Sequence, residues 1–176
     1  MSKVDDWALE EMKKAEKQDL IPETFKDKDF TATIKREDFC AVAVKLYEAI
    51  TGKKVTRVGY NPFKDITDDY VIKAYHLGIT VGVSNTEFGK GTITREQMST
   101  MIVRSLTKAK KDTNIDLDKI TKFADDNEMH GWGRPSIYFM SSKGIIQGVG
   151  DNRFDPLGEA KIEEAIAIAL RCLTTL

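Results

Sequence analysis

The sequence predicts an all-α protein, and three observations carry that reading. Three stretches place apolar residues at three- and four-residue steps, the spacing of one helix face. They are Phe39, Val42, Ala43, Leu46, Tyr47 and Ile50; then Met98, Met101, Ile102 and Leu106; then Ala165, Ile168, Ala169 and Leu173. Each stretch is preceded by a shorter amphipathic segment. Glycine follows two of those segments, at Gly78 and Gly144, where a left-handed C-terminal cap needs it.

The short helices are expected over 6–17, 68–77 and 133–143, and Pro135 suits the opening turn of the last, where a missing N–H costs nothing. Ahead of the second long helix, Thr94 and Gln97 read as a capping box. Between paired helices runs a glycine-rich loop, as in Gly148-Val149-Gly150-Asp151-Asn152, whose Phe88 or Phe154 is expected to turn inward. Segments 53–60 and 108–119 are polar and read as connectors. The basic run Lys108-Ala109-Lys110-Lys111 suits the C-terminal end of a helix dipole.

These elements recur in one order. The first copy runs from Trp7 through Asp19-Leu20-Ile21 and Phe30 to Ile34-Lys35-Arg36-Glu37. The second runs from Phe63-Lys64-Asp65 through Gly78-Ile79, Gly82 and Phe88 to Ile93-Thr94-Arg95-Glu96. The third runs from Phe123-Ala124-Asp125 and Trp132 through Gly144-Ile145, Gly148 and Phe154 to Ala160-Lys161-Ile162-Glu163. Ile79 to Phe88 and Ile145 to Phe154 both span nine positions. At about 60 residues the period exceeds that of common solenoids, so a closed arrangement is as plausible as a stack. A unit this short buries little core alone, so 1–176 is expected to fold as one cooperative domain of repeats 1–58, 59–118 and 119–176.

Composition removes several functions. With 41% hydrophobic and 31% charged residues the chain has a core to bury, so disorder does not describe it. Its 27 basic and 28 acidic side chains, net charge −1, leave no basic excess for nucleic acid. No run approaches the length of a membrane span, and the start, Met1-Ser2-Lys3-Val4-Asp5-Asp6, is not a secretory signal. The two cysteines, Cys40 and Cys172, sit in apolar stretches and read as buried unpaired thiols. His76 and His130 have no neighbouring nucleophile and no metal-ligand spacing. The acidic stretches 112–118 and 125–131 fail the calcium-loop pattern, the first for want of its glycine and the second because Gly131 falls one place late. No catalytic residue, metal or cofactor is assigned.

The pattern Phe-x-Asp, an aromatic, Gly-Ile-x-x-Gly, a loop Phe and Ile-Thr-Arg-Glu, in three imperfect copies of which the first has no Phe-x-Asp before Trp7 and the second has Ile66 or Tyr70 in place of Trp, resembles the S-layer homology family across nearly the whole chain. The resemblance implies a pseudo-threefold domain, its long helices forming a central three-helix bundle and its short helices projecting as prongs. It implies a non-catalytic module that attaches an exported protein to a bacterial secondary cell-wall polysaccharide, often one bearing a pyruvate ketal. It further implies a cell-surface location, without membrane insertion, for a segment cut from a longer chain.

Such a ligand needs a cation with directional donors, an aromatic platform and closely approaching backbone. Arg36 and Arg95, in first helical turns where a cation is electrostatically misplaced, supply planar forks that a carboxylate would satisfy; an ion pair with Asp65, Asp125 or the adjoining Glu is the alternative. Trp7 and Trp132 are candidate sugar platforms or prong-stabilising residues. Asp65 and Asp125 would accept a hydroxyl or cap a helix, and Gly82 and Gly148 would permit positive φ and close approach or simply shape the turn. The copies depart from the pattern. Ile162 stands where Arg is expected, although Lys161 adds a less directional charge. Lys35 replaces the capping Thr, so the cap comes from Thr33 or is absent, and Asp19 replaces the cap glycine. One or two competent grooves are expected, the Arg95 groove the best preserved. A helical protein-binding or self-assembly module of a surface protein is the rival reading; it would expose an apolar patch.

Overall fold

The computed structural model describes residues 3–56 and 59–176. Six α-helices run α1 Leu9–Lys17, α2 Arg36–Thr51, α3 Asp69–His76, α4 Arg95–Lys108, α5 Arg134–Ser142 and α6 Ile162–Thr175. Single 3-10 turns occupy Asp6–Ala8, Glu23–Phe25, Leu117–Lys119 and Asp126–Glu128. Among the described residues there is no strand, only the isolated antiparallel bridges Thr33 with Lys161, Lys35 with Thr92, and Gly150 with Arg153. The all-α expectation holds. The connector 53–60 carries no helix where it is described, and its residues 57 and 58 lie outside the described residues.

The long helices lie where the apolar stripes put them. Phe39, Val42, Ala43 and Leu46 of α2, Met98 and Ile102 of α4, and Ala165, Ile168 and Ala169 of α6 are all buried. Helix α2 is buried beyond one stripe: Cys40, Ala41, Val44 and even Lys45 and Glu48 are enclosed. The reason is its company, since α2 packs against α3, α4 and α6. Each short helix packs on a long helix from another segment of the chain: α3 on α2, α5 on α4, and α1 on α6.

The entries to the long helices are linked in the same cyclic order. Arg36 N donates to Gly91 O at 2.8 Å, Arg95 N to Gly158 O at 2.8 Å, and Ile162 N to Ala32 O at 3.0 Å. These bonds satisfy first-turn N–H groups that have no partner within their own helices. Thr94 and Gln97 form the expected capping box on α4. Helix α2 has no side-chain cap, so Thr33 does not supply one.

The short helices end alike. The N–H groups of Leu20, Ile79 and Ile145 return to Ala15, Ala74 and Met140 O at 3.0, 2.9 and 3.0 Å. The intervening residue is left-handed in each case, Gly78 at φ 73°, Gly144 at φ 67° and Asp19 at φ 55°. Asp tolerates that conformation better than most side chains, and the Asp19 carboxylate is bound by Lys45 at 2.9 Å and by Lys54. Phe88 and Phe154 turn inward completely. Cys40 and Cys172 are buried free thiols, each pushed up to about 12 chiefly by burial.

Candidate functional site

Arg36 and Arg95 open α2 and α4 and reach into the next loop along the chain. The Arg36 guanidinium donates to Val81 O at 2.6 Å and to Phe88 O and Gly89 O, and lies 4.5 Å from the Phe88 ring centroid. Arg95 donates Nε to Phe154 O at 3.0 Å and Nη2 to Gln147 O at 2.7 Å, over the Phe154 ring at 4.8 Å. Neither forms an ion pair among the described residues, and burial pushes both guanidinium pKa values down while leaving them charged. Their partners are carbonyls, not the acids that charge logic offers. The Nη1 of Arg95 has no partner among the described residues.

The aspartates complete a clamp on the same two phenylalanines. Asp65 accepts from Phe88 N at 2.8 Å and Gly89 N at 2.9 Å; Asp125 accepts from Phe154 N at 2.9 Å and Asp155 N at 2.8 Å. Both carboxylates therefore bind loop N–H groups rather than a helix end. Those bonds hold Asp65 below the usual carboxylate range. Burial alone would push Asp125 up, but its two N–H bonds outweigh burial and leave it lowered. In each loop Asp holds the N–H side of the Phe, Arg holds its carbonyl, and the ring is buried beneath the guanidinium.

The third position, Ile162, has no fork. There Phe30 N donates to Lys3 O at 2.9 Å, and Phe30 O accepts from Glu163 N at 3.0 Å. Gly82 and Gly148 are needed for close packing and not for positive φ. A Cβ on Gly82 would come within 2.4 Å of Glu87 O, and one on Gly148 within 2.5 Å of Arg153 O.

Trp7 and Trp132 are 50% and 52% exposed, each in the turn before a short helix. Trp132 stacks on His130, centroids 5.5 Å apart and rings 20° from parallel. Trp7 meets Arg95 and Gly148 in one groove of about 380 Å³, lined also by Gln147, Val149, Glu164, Ala167 and Ile168. This groove draws one expected residue from each third of the sequence. Asp125 lies behind it through Phe154, while Asp65 lines a separate cleft of about 420 Å³ with Glu37, Lys64 and Lys90.

Sequence reasoning missed Glu164 and Arg171. Arg171 enters the groove, but its fork is held by Glu11 at 3.1 Å. Its offset was legible, since Lys45, Arg104 and Arg171 each follow Arg36, Arg95 and Ile162 by nine residues. A larger cleft, about 930 Å³, lies at the other end of α4 beside Lys108, Lys110 and Lys111, some 20 Å along the helix axis from Arg95. It holds no residue of the expected constellation. Among the described residues no group of His, Cys, Asp and Glu is arranged to hold a metal, and no helix is long and apolar enough to cross a membrane.

Residues 122–166 match the family model of the S-layer homology domain. A cell surface protein of Thermoanaerobacter kivui is 35% identical over 123 residues, 64% of this chain and 15% of that protein. An exoglucanase XynX of Acetivibrio thermocellus is 29% identical over 144 residues, 77% of this chain and 12% of that protein. An amylopullulanase of Thermoanaerobacterium thermosulfurigenes is 31% identical over 144 residues, 77% of this chain and 7% of that protein. The chain thus spans a small part of each relative. The family match falls in the last third, the segment that carries Trp132, Gly148 and Ile162.

Proposed function

We propose that the chain is a non-catalytic cell-surface anchoring module that binds an anionic, pyruvylated secondary cell-wall polysaccharide in grooves between three repeats, 1–58, 59–118 and 119–176. The observation that carries it is the meeting of Trp7, Arg95 and Gly148 in one groove. A charged fork with a free Nη1, lacking a carboxylate partner, invites a ligand carboxylate. The half-exposed indole beside it offers a flat apolar face to sugar C–H groups. The small share of each relative that the chain matches supports a module carried by larger surface proteins, two of them named as enzymes. The cyclic packing of short helices on long ones, and the three bonds linking the helix entries, support a pseudo-threefold reading of the repeats.

The test is retention on purified bacterial wall sacculi before and after removal of the non-peptidoglycan polymer. Retention should disappear on stripping. Arg95→Ala should weaken it roughly tenfold to a hundredfold, the worth of one charge-assisted bond. Because Arg95 also clamps its loop, Trp7→Ala serves as the companion variant; it removes the platform and leaves every clamp bond in place. Equal retention on both wall preparations overturns the polymer reading, and retention on neither favours the protein-binding or self-assembly alternative.

A further inference from the structure

The two tryptophans share an unexpected support. Glu96, the second residue of α4, is 1% exposed, and its carboxylate accepts His130 N at 2.6 Å and bonds His130 Nδ1 at 2.8 Å. His130 stacks on Trp132 two positions later. The turn closes on His130 O, which accepts from Gly133 N and Arg134 N at 3.0 Å each. Gly133 lies directly on Glu96; a Cβ there would fall 2.4 Å from Glu96 Cγ. The turn that carries Trp132 is therefore held from beneath by one buried carboxylate, while Arg134 ties its start through Asp126 and Met129 O.

The arrangement recurs at the other tryptophan. Glu163, the second residue of α6, is 0% exposed and accepts Asp5 N at 3.0 Å. Trp7 again follows by two positions, and Ala8 N closes the turn on Asp5 O at 3.0 Å. The remaining long helix offers a comparison. Glu37 is likewise the second residue of α2; its Oε2, like Oε1 of Glu163, is buried without a hydrogen-bond partner among the described residues, but no backbone N–H ahead of α3 donates to it there. Asp5 and His130 stand ten residues before Ala15 and Met140; ten residues before Ala74 stands Lys64, which by the Phe-x-Asp marks is the counterpart of Ala124. Its N–H donates to Thr86 O at 2.8 Å, as Ala124 N donates to Asn152 O at 2.7 Å, so neither is offered to a helix-entry glutamate. Two positions after Lys64 stands Ile66, not tryptophan. Among the described residues the grip is found before both tryptophans, and Glu37 makes no such bond to the turn before α3.

We propose that Glu96 and Glu163 are positioning residues that fix the Trp132 and Trp7 rings, and that glycan affinity depends on this grip. Both carboxylates are enclosed, so neither touches a ligand; each acts through the turn above it. The second half of the proposal rests on the reading of the tryptophans as sugar platforms.

The test uses single-tryptophan chains. In a Trp7→Phe background the sole indole is Trp132, and in a Trp132→Phe background it is Trp7. Acrylamide quenching and fluorescence anisotropy then read each ring without any ligand. Glu96→Ala should raise quenching and lower anisotropy at Trp132 but not at Trp7, and Glu163→Ala should do the reverse. Glu96→Gln and Glu163→Gln, which keep an acceptor for the backbone N–H, should restore most of the order. General destabilisation would loosen both rings together and would not be rescued this way. Should the alanine variants fail to fold, His130→Ala, whose side chain is largely exposed, still tests the stack at Trp132. Rings that keep their wild-type values in folded variants, or that loosen together, overturn the grip. In the chain with both tryptophans, each alanine variant should lose about tenfold in retention on polymer-bearing sacculi, the worth of one bond to a charged group. Loosened rings with undiminished retention overturn the platform reading and leave the grip standing.

Discussion

At the scale of single residues, the site is built from charges that serve the backbone. Asp65 and Asp125 are ionised anchors for the peptide of a buried Phe, and that makes the loops sensitive to acid. Both carboxyls titrate below the ordinary value of 3.8 in the folded chain. In the unfolded chain they take a proton first as pH falls, so unfolding binds protons and acid favours it. Their contribution is complete above pH 3.8 and is lost as pH drops through the folded values. Glu163 runs the other way. Burial, ahead of the Asp5 carboxylate, raises its pKa, so its contribution is present below the ordinary 4.5 and is lost as pH rises through the raised value. Urea unfolding at stepped pH should therefore show Asp65→Asn flattening the fall below pH 3.8, whereas Glu163→Gln should add stability near neutrality and little in acid. An unchanged acid limb in Asp65→Asn would count against the clamp.

At the scale of elements, helices were legible and partners were not. Periodicity reports which face of α2, α4 and α6 is apolar, and it found Phe39, Met98 and Ala165 correctly. It carries no information about which helix covers that face, so the packing of α1 on α6 was invisible. Side-chain logic likewise offered Arg36 and Arg95 only acidic partners, because backbone carbonyls leave no trace in a sequence. The glycines divide in the same way. Gly144 was read correctly from its place after a helix, whereas Gly148 is required by a loop carbonyl that only the fold brings near. The two therefore make a discriminating pair. Gly144→Ala meets no atom within 4 Å and should cost about 1 kcal/mol for its left-handed φ, leaving the groove intact. Gly148→Ala drives a Cβ against Arg153 O and should cost about 1–3 kcal/mol while displacing the Gln147 carbonyl from Arg95. Urea midpoints paired with sacculus retention check this; equal loss of retention in both variants would show that the loop's own geometry does not shape the groove.

At the scale of the molecule, the question is whether the three proposed repeats stack or close. In a stack, each unit contributes its own stability plus one interface, and removing an end unit leaves a shorter folded array. The contacts described above have a different consequence. A chain ending at residue 118 would keep α1 without α6 and α4 without α5, so two apolar faces would lose their cover at once. It would also lose two of the three bonds that link the helix entries, those to Gly158 and from Ile162. The remaining contacts, α2 with α3 and α2 with α4, cannot offset that exposure with a core so small. The full chain is therefore expected to unfold in a single transition, with helical circular dichroism and tryptophan fluorescence changing together. The 1–118 fragment is expected to show weak helicity and no cooperative transition. A fragment that retained helical signal in proportion to its length and melted sharply would mean that the units stack as independent neighbours. The groove would then be a meeting of separately stable parts. In a closed arrangement Trp7, Arg95 and Gly148 are brought together only by folding of the entire chain, which is why the three residues can come from its three thirds.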